Sequence, residues 1–523
     1  MRSLRLPSQT EQRFAVPPSR MAALSTFLMA VFLALAGCGG GVDRPNIILI
    51  LADDLGWGDL GSYGATKIET PNCDLLASEG IRFTDAHSSS AVCSPSRYSI
   101  LTGRYGWRTW LKNGVLMEHM PLLVDSGRLT LPAMLRESGY TTACIGKWHL
   151  GWGEEISPDW NREVSPGPLE VGFDYYFGVP FSHDGDPLRR VYVENRRVFG
   201  LEPGGNVNNL STIRRIQRRL DKTAVRLSEA AVNFVASNKD KPFFLYYPTT
   251  NVHLPWTPDR QFWGATEAGK YGDFVAEFDW VVGQIVAALD SLGLAERTMI
   301  IVTSDNGANQ EGRMMGHTPN GRLRGIKGGI HEGGHRVPFI ARWPGHIERG
   351  SSSGETICLT DLMATVAAIV EYPLPEDAAE DSYDVSPAML GQPYHAPIRE
   401  ATVHHSFTGM FAIRQGKWKF IEGTGSGALP HTGVASAIND AARFKPVRNP
   451  KTGEFLDLVY DYPLPAPTPG ELPGQLYDLE SDLEESTNLW EEHPDVVSHL
   501  QDLLDRYRRE GRSRTAQNAT HGN

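Results

Sequence analysis

The chain has 523 residues, enough for a large buried core and for two units of structure. Its 50 basic and 62 acidic residues leave a formal net charge of −12, which suits solubility and argues against a nucleic-acid partner. Five cysteines do not make a disulfide framework, so any export must be read from a signal rather than from cysteine usage.

In chain order, Arg2, Arg5, Arg13 and Arg20 precede an apolar stretch over residues 21–36 that is too short and too rich in small residues for a membrane span. It ends in Leu35-Ala36-Gly37-Cys38, which resembles the bacterial lipoprotein cleavage box; an ordinary secretory signal is the alternative. On the first reading residues 1–38 are a signal peptide, Cys38 is lipidated and residues 39–45 are a tether. The protein is then a cell-envelope lipoprotein that meets the membrane only through its lipid.

Asn46 to Leu51 is an unbroken apolar run, the pattern of a parallel strand buried on both faces, and it delivers Asp53 and Asp54 at its end. Cys93-Ser94-Pro95-Ser96-Arg97 reads as the opening turn of a helix, with Ser94 as N-cap, Pro95 in the first helical position and Gly103 as the stop. Free N–H groups at such a turn favour an anion, and Arg97, four residues after Cys93, adds a positive charge on the same face. Thr130 and Pro132 begin another helix that Gly139 ends, and Thr141 to Ile145 is a strand leading into Lys147 and His149. Phe274, Phe278, Val281, Ile285 and Leu289 form an apolar stripe down a longer helix. Met299 to Thr303 is a second buried strand, and it delivers Asp305 and Asn306 at the equivalent point. Ligand crevices of open α/β sheets lie outside such strand ends. Two carboxylates from one strand with an Asp and an Asn from another make an all-oxygen set for a hard cation, calcium in preference to magnesium, which more often keeps several waters.

Cys93-x-Pro95-x-Arg97 followed by Thr102-Gly103-Arg104 resembles the signature of the type I sulfatases, members of the alkaline phosphatase-like superfamily. Further matches follow in order: Gly146-Lys147-Trp148-His149, Pro180-Phe181-Ser182-His183-Asp184, His253-Leu254-Pro255, Gly325-Ile326-Lys327-Gly328-Gly329 and Glu332-Gly333-Gly334-His335-Arg336. The resemblance implies that a maturation enzyme oxidises Cys93 to formylglycine, which is hydrated to a geminal diol. Asp53, Asp54, Asp305 and Asn306, together with residue 93 itself, would hold calcium. Arg97 would steady the diol, Lys147 and Lys327 would grip sulfate oxygens, His149 would be the base at the diol, and His253 would protonate the leaving alcohol. Ser182 matches a supporting polar position. His183 and Asp184 are expected to face the substrate, and His405, in the run His405-Ser406-Phe407, to reach back toward it. The implied reaction is attack of the diol on sulfur, release of the alcohol and elimination of sulfate. An unmodified thiolate would instead leave a sulfur–sulfur adduct with no easy exit.

Alternating strands and helices predict an α/β catalytic domain over residues 46–350, a mostly parallel sheet flanked by helices. A smaller C-terminal α+β subdomain over 351–510 is expected to pair an antiparallel sheet with a terminal helix near residues 496–508, followed by a polar tail over 511–523. Residues 423–474, rich in Gly and Pro, read as a long loop or insertion at the rim of the site. Arg214, Arg215, Arg218 and Arg219 read either as a surface for a polyanion or as a solvated helix face. Trp107, Trp110, Trp256 and His404 suit either a sugar pocket or the core. The favoured substrate is a sulfated oligo- or polysaccharide. Small aryl sulfates, a phosphate or phosphonate monoester hydrolase, and a surface protein that only binds glycans stay open.

Overall fold

A computed structural model describes residues 44–185, 190–309, 315–428, 444–448, 455–460 and 470–515. The expected signal peptide, Cys38 and the expected tether up to residue 43 lie outside them, as does the expected polar tail from residue 516. Among the described residues no helix is long and apolar enough to cross a membrane.

The apolar runs become the centre of one large sheet. Asn46–Ala52 lies between Thr298–Ser304 and Phe243–Pro248 and is parallel to both. Thr141–Lys147 and Tyr175–Val179 extend the sheet in the same direction. On the other side Arg336–Arg342 runs antiparallel between Thr298–Ser304 and Ile81–His87. All seven residues of Asn46–Ala52 are buried, because helices cover both faces. The pleat sends Ile47, Leu49 and Leu51 into one layer with Tyr98 and Leu101, and Ile48 and Ile50 into the other. There they meet the expected stripe, Phe274, Phe278, Val281, Ile285 and Leu289, on the helix Gly269–Ser291. Each such buried side chain contributes roughly 1.5–3 kcal/mol, and the register is tied at the strand start by Asn46, whose amide donates to Thr298 Oγ1 at 3.2 Å and accepts from the Phe243 N–H at 3.2 Å.

That register positions the chemistry. Ala52 pairs with Ser304, so Asp53–Asp54 and Asp305–Asn306 leave neighbouring strands at the same edge. Lys147, Val179 and Pro248 end at that edge too, because their strands are parallel to the central one.

A second sheet, antiparallel throughout, runs Thr402–His405, Phe411–Gln415, Trp418–Ile421, Gln475–Asp478. The helix Pro494–Glu510 covers it with Val497, Leu500, Leu503, Leu504 and Tyr507. Ser351–Ser353 and Ile357–Cys358 still pair with Ile81–His87 of the large sheet. Within residues 423–474, Phe444–Arg448 and Phe455–Tyr460 form an antiparallel pair where a loop is expected. Phe455-Leu456-Asp457-Leu458-Val459-Tyr460 is rich in strand formers, a signal masked by its Gly- and Pro-rich flanks.

Candidate active site

The helix that carries Cys93 spans Cys93–Thr102, two residues earlier than the start at Pro95 that the sequence suggests. Its cap is the extended Val92, and Ser94 is already helical because its hydroxyl accepts from the distant Leu116 N–H at 3.1 Å. Gly103 ends the helix as expected, in the left-handed conformation with φ 63°. Cys93 therefore occupies the first helical position. Its thiol donates to Asp53 Oδ1 at 3.6 Å, and burial pushes it up to about 12 despite Lys147 and Lys327 nearby. A thiol held protonated in this way is a poor nucleophile.

Around it stand three carboxylates and three cations. Lys147 Nζ lies 2.8 and 3.0 Å from the two oxygens of Asp53. Arg97 donates to Asp305 Oδ2 through Nε and Nη2 at 2.9 and 2.7 Å, to the Lys147 carbonyl at 3.1 Å, and lies 3.4 Å from Asp53. Lys327 Nζ is 2.5 Å from Asp54 Oδ1, which also accepts from Asn306 Nδ2 at 2.8 Å. Burial alone would raise Asp53, but Lys147, His253 and Arg97 hold it well below the usual carboxylate range. Asp305 goes the other way: burial, with Asp53 and Asp54 beside it, pushes it up in spite of Arg97.

A divalent cation fits these residues. Asp54 Oδ2 and Asn306 Oδ1 are buried acceptors with no hydrogen-bond partner, and buried polar atoms are rarely left so. With Asp53 and Asp305 they complete an oxygen set of the kind calcium takes. Asp54 at φ 69° and His149 at φ 56° both hold left-handed backbone, a conformation that costs a non-glycine residue about 1–3 kcal/mol and gathers at functional sites.

His149 Nε2 faces the Leu116 carbonyl at 3.0 Å, and its Nδ1 is buried without a partner. The carbonyl can only accept, so Nε2 carries the hydrogen and Nδ1 a free lone pair. Burial, reinforced by Lys147 and Arg97, keeps the ring neutral, its pKa well below the ordinary value. His253 lies with Nδ1 2.6 Å from the Leu254 carbonyl and Nε2 3.3 Å from Ser182 Oγ and 3.9 Å from Asp54. Lys327, His253 and Ser182 are partly exposed and Asp184 is exposed, so the pocket opens on their side.

His183 and His405 do not offer a surface to a substrate in this conformation. His183 is fully buried, its Nε2 2.9 Å from Thr257 Oγ1 and its ring against Phe274. His405 is equally buried, with Nδ1 3.1 Å from the Ser406 carbonyl and its backbone bridged to Ser90 behind the nucleophile loop. In each ring the second nitrogen, His183 Nδ1 and His405 Nε2, is buried without a hydrogen-bond partner. The core reading also holds for Trp107 and for His404, which stacks on His335. Arg214, Arg215 and Arg219 are exposed, but Arg218 is buried and does not belong to a solvated face. The Leu116 and Leu254 carbonyls that face His149 Nε2 and His253 Nδ1 are backbone atoms, which leave no trace in residue type.

The Sulfatase family model matches residues 45–372. The chain belongs to the sulfatase family. This sulfatase is 35% identical over 515 residues to N-acetylgalactosamine-6-O-sulfatase of Bacteroides thetaiotaomicron, covering 89% of this chain and 94% of that one. It is 36% identical over 402 residues to human arylsulfatase A, covering 75% and 77% respectively. A solved Bacteroides thetaiotaomicron sulfatase from a locus for metabolism of multiple glycosaminoglycans superposes with a TM-score of 0.75 at 34% identity, over 89% of this chain and 100% of that one. Phosphonate monoester hydrolase of Agrobacterium radiobacter, at 18% identity and a TM-score of 0.56 over 90% and 96%, shares the alkaline phosphatase-like fold alone. The sulfatase is thus a hydrolase of sulfate esters.

Proposed function

We propose that the protein is a calcium- and formylglycine-dependent sulfatase that removes sulfate from sulfated glycans, with the 6-sulfate of an N-acetylgalactosamine unit as the preferred position. The observation that carries the chemistry is the placement of Cys93 at a helix N-terminus, 3.6 Å from a carboxylate in a cluster that also contains buried acceptors without partners. The sugar rests on the near full-length relationship to the Bacteroides enzyme.

Formylglycine at position 93 supplies a hydrated aldehyde as nucleophile, and calcium supplies Lewis acidity at the sulfate oxygens. Asp53, Asp54, Asp305 and Asn306 are the ligands for that ion. Arg97, Lys147 and Lys327 meet the negative charge of the sulfate and hold it in line for attack. The lone pair on His149 Nδ1 takes a proton at the nucleophile side. At the open side, His253 gives a proton through Nε2 to the departing sugar oxygen, with Ser182 beside it. Burial keeps water from competing around the charged groups.

The test is to co-express the full chain with a formylglycine-generating enzyme and measure the mass of the peptide carrying residue 93. Sulfate release is then followed from N-acetylgalactosamine 6-sulfate, N-acetylgalactosamine 4-sulfate, N-acetylglucosamine 6-sulfate and 4-nitrophenyl sulfate. Fastest release from the first supports the reading. Preference for the aryl ester moves the assignment toward the arylsulfatase A side of the family, and an unconverted Cys93 with full activity overturns the mechanism. The lipoprotein reading of Cys38 is tested separately, since Cys38→Ala should move the protein from the membrane to the soluble fraction.

A further inference from the structure

The loop Ser182–Gly185 follows the Tyr175–Val179 strand and is held by its backbone oxygens. Four consecutive carbonyls are taken by two guanidinium groups. Arg218 Nη2 donates to His183 O at 2.6 Å and to Ser182 O at 3.4 Å. Arg190 donates to Asp184 O through Nε at 3.1 Å and Nη2 at 2.8 Å, and to Gly185 O at 3.3 Å. The two arginines are tied together, since the Arg218 N–H donates to the Arg190 carbonyl at 2.7 Å.

Arg218 is buried, and its remaining side-chain partner is Thr223 Oγ1 at 3.0 Å; among the described residues no carboxylate pairs with it. Burial brings it down to about 10, which leaves it charged at neutral pH. A guanidinium buried against carbonyls carries a desolvation penalty, which the charge of Asp184 on the same loop offsets only in part. A neutral side chain would close a surface loop at lower cost, so the feature calls for another reason.

That reason is what the loop carries. Ser182 Oγ lies 3.3 Å from His253 Nε2, and Asp184 Oδ1 lies 4.0 Å from His253 Nδ1. Both nitrogens of the imidazole at the leaving-group side are therefore flanked by side chains of the segment that the arginines grip. We infer that Arg190 and Arg218 are positioning residues for leaving-group protonation: acting through the carbonyls of residues 182–185, they hold Ser182 and Asp184 against His253. This rests on the assignment of His253 as the group that protonates the departing oxygen.

Leaving-group dependence tests it. An alcohol that departs easily needs little protonation and one that departs poorly needs much. The matured full chain and its Arg190→Ala, Arg218→Lys and His253→Ala variants are compared on substituted phenyl sulfates running from 4-nitrophenyl to 4-methoxyphenyl. His253→Ala should steepen the fall of kcat/KM with leaving-group pKa. Arg190→Ala and Arg218→Lys should steepen it in the same sense, losing about tenfold on the poorest leaving group and under about threefold on 4-nitrophenyl sulfate. Equal losses across the series in both arginine variants, beside a steepened His253→Ala, would mean a purely structural staple and overturn the proposal alone. An unchanged slope in His253→Ala sinks the His253 assignment and the proposal with it. Arg190 is partly exposed, so its variant decides the question even if Arg218→Lys does not fold.

Discussion

At the strand ends Asp53, Asp54 and Asp305 face Arg97, Lys147 and Lys327; against the small sheet, Asp85, Glu332 and Glu485 face Arg336, Arg414 and Lys419. Both clusters are buried and both hold three charges of each sign. In the second, Glu332 accepts from Lys419 at 3.0 Å and Arg336 at 3.2 Å, and Asp85 from Arg414 at 2.6 Å. Burial would raise Glu332, but Lys419 and its neighbours hold it well below the usual range. In the first, Asp305 is pushed up, two acceptor oxygens lack partners and two residues hold left-handed backbone. Formal charge balance therefore does not mark the catalytic cluster. Nor does backbone strain, since Glu485 of the second cluster also holds left-handed backbone at φ 51° and is pushed up by burial to about 6. What differs is the surroundings of the open acceptors: Glu485 Oε1, though without a hydrogen bond, lies 2.8 Å from Lys419 Nζ, whereas Asp54 Oδ2 and Asn306 Oδ1, from neighbouring strand ends, are both left without a partner beside the exposed side of the pocket.

Substitutions in the two regions should separate activity from stability. Cys93→Ala is expected to abolish sulfate release, by at least about a thousandfold, while the thermal melt stays close to that of the unsubstituted chain. Asp54→Asn should lower kcat/KM by about a hundredfold and reduce bound calcium measured on the purified protein, with partial recovery in excess calcium. Turnover that survives both this change and chelation would remove the cation from the account. Glu332→Gln, in the other cluster, should cost about 1.5–3 kcal/mol of stability, since it takes one carboxylate from Lys419 and Arg336 while Glu485 and Asp85 stay beside them. Its kcat at a temperature well below melting should stay within about threefold, because nothing in that network touches the reacting atoms. A large kcat loss in Glu332→Gln with an unchanged melt would erase the distinction.

The carboxylates and Arg97 were legible from pattern because they sit at strand ends and on the first turn of a helix, whereas the roles of Lys147, His149, His253 and Lys327 were read only from the resemblance to the type I sulfatases. Asp53 and Asp305 each follow an apolar run, and Arg97 stands one helical turn from Cys93. The second cluster was not legible. Lys419 meets Glu332 across 87 positions and Arg414 meets Asp85 across 329, and such pairings leave no local pattern. Arg218 misled for a related reason: its spacing from Arg214 and Arg215 fits a helix face, but the helix Leu210–Ile216 stops before it and the chain turns it inward. Ser94 was drawn away from the cap role by Leu116, again a contact that only the folded chain supplies.

His405 lies on the seam between the two regions: its neighbour His404 stacks on His335 of the structural cluster, while its own backbone bridges to Ser90 beside the nucleophile loop. Burial lowers it to about 4, opposed by the Ser406 carbonyl. In the unfolded chain an imidazole titrates near about 6.5. Below that value the unfolded state binds a proton that the folded state refuses, so the stability owed to a neutral His405 is fully present above about 6.5 and declines as pH falls toward about 4. Between pH 7 and 5 this one group should cost about 2 kcal/mol. His405→Gln removes the titration, and its melting temperature should therefore drop less over that interval than that of the parent chain, whatever the two values are at pH 7. The same variant should keep KM for the sulfated sugar within about twofold, as expected for a ring that contacts protein only. A raised KM with an unaltered pH slope would instead place this imidazole at the sugar, and the division between a catalytic edge and a structural seam would have to move toward the small sheet.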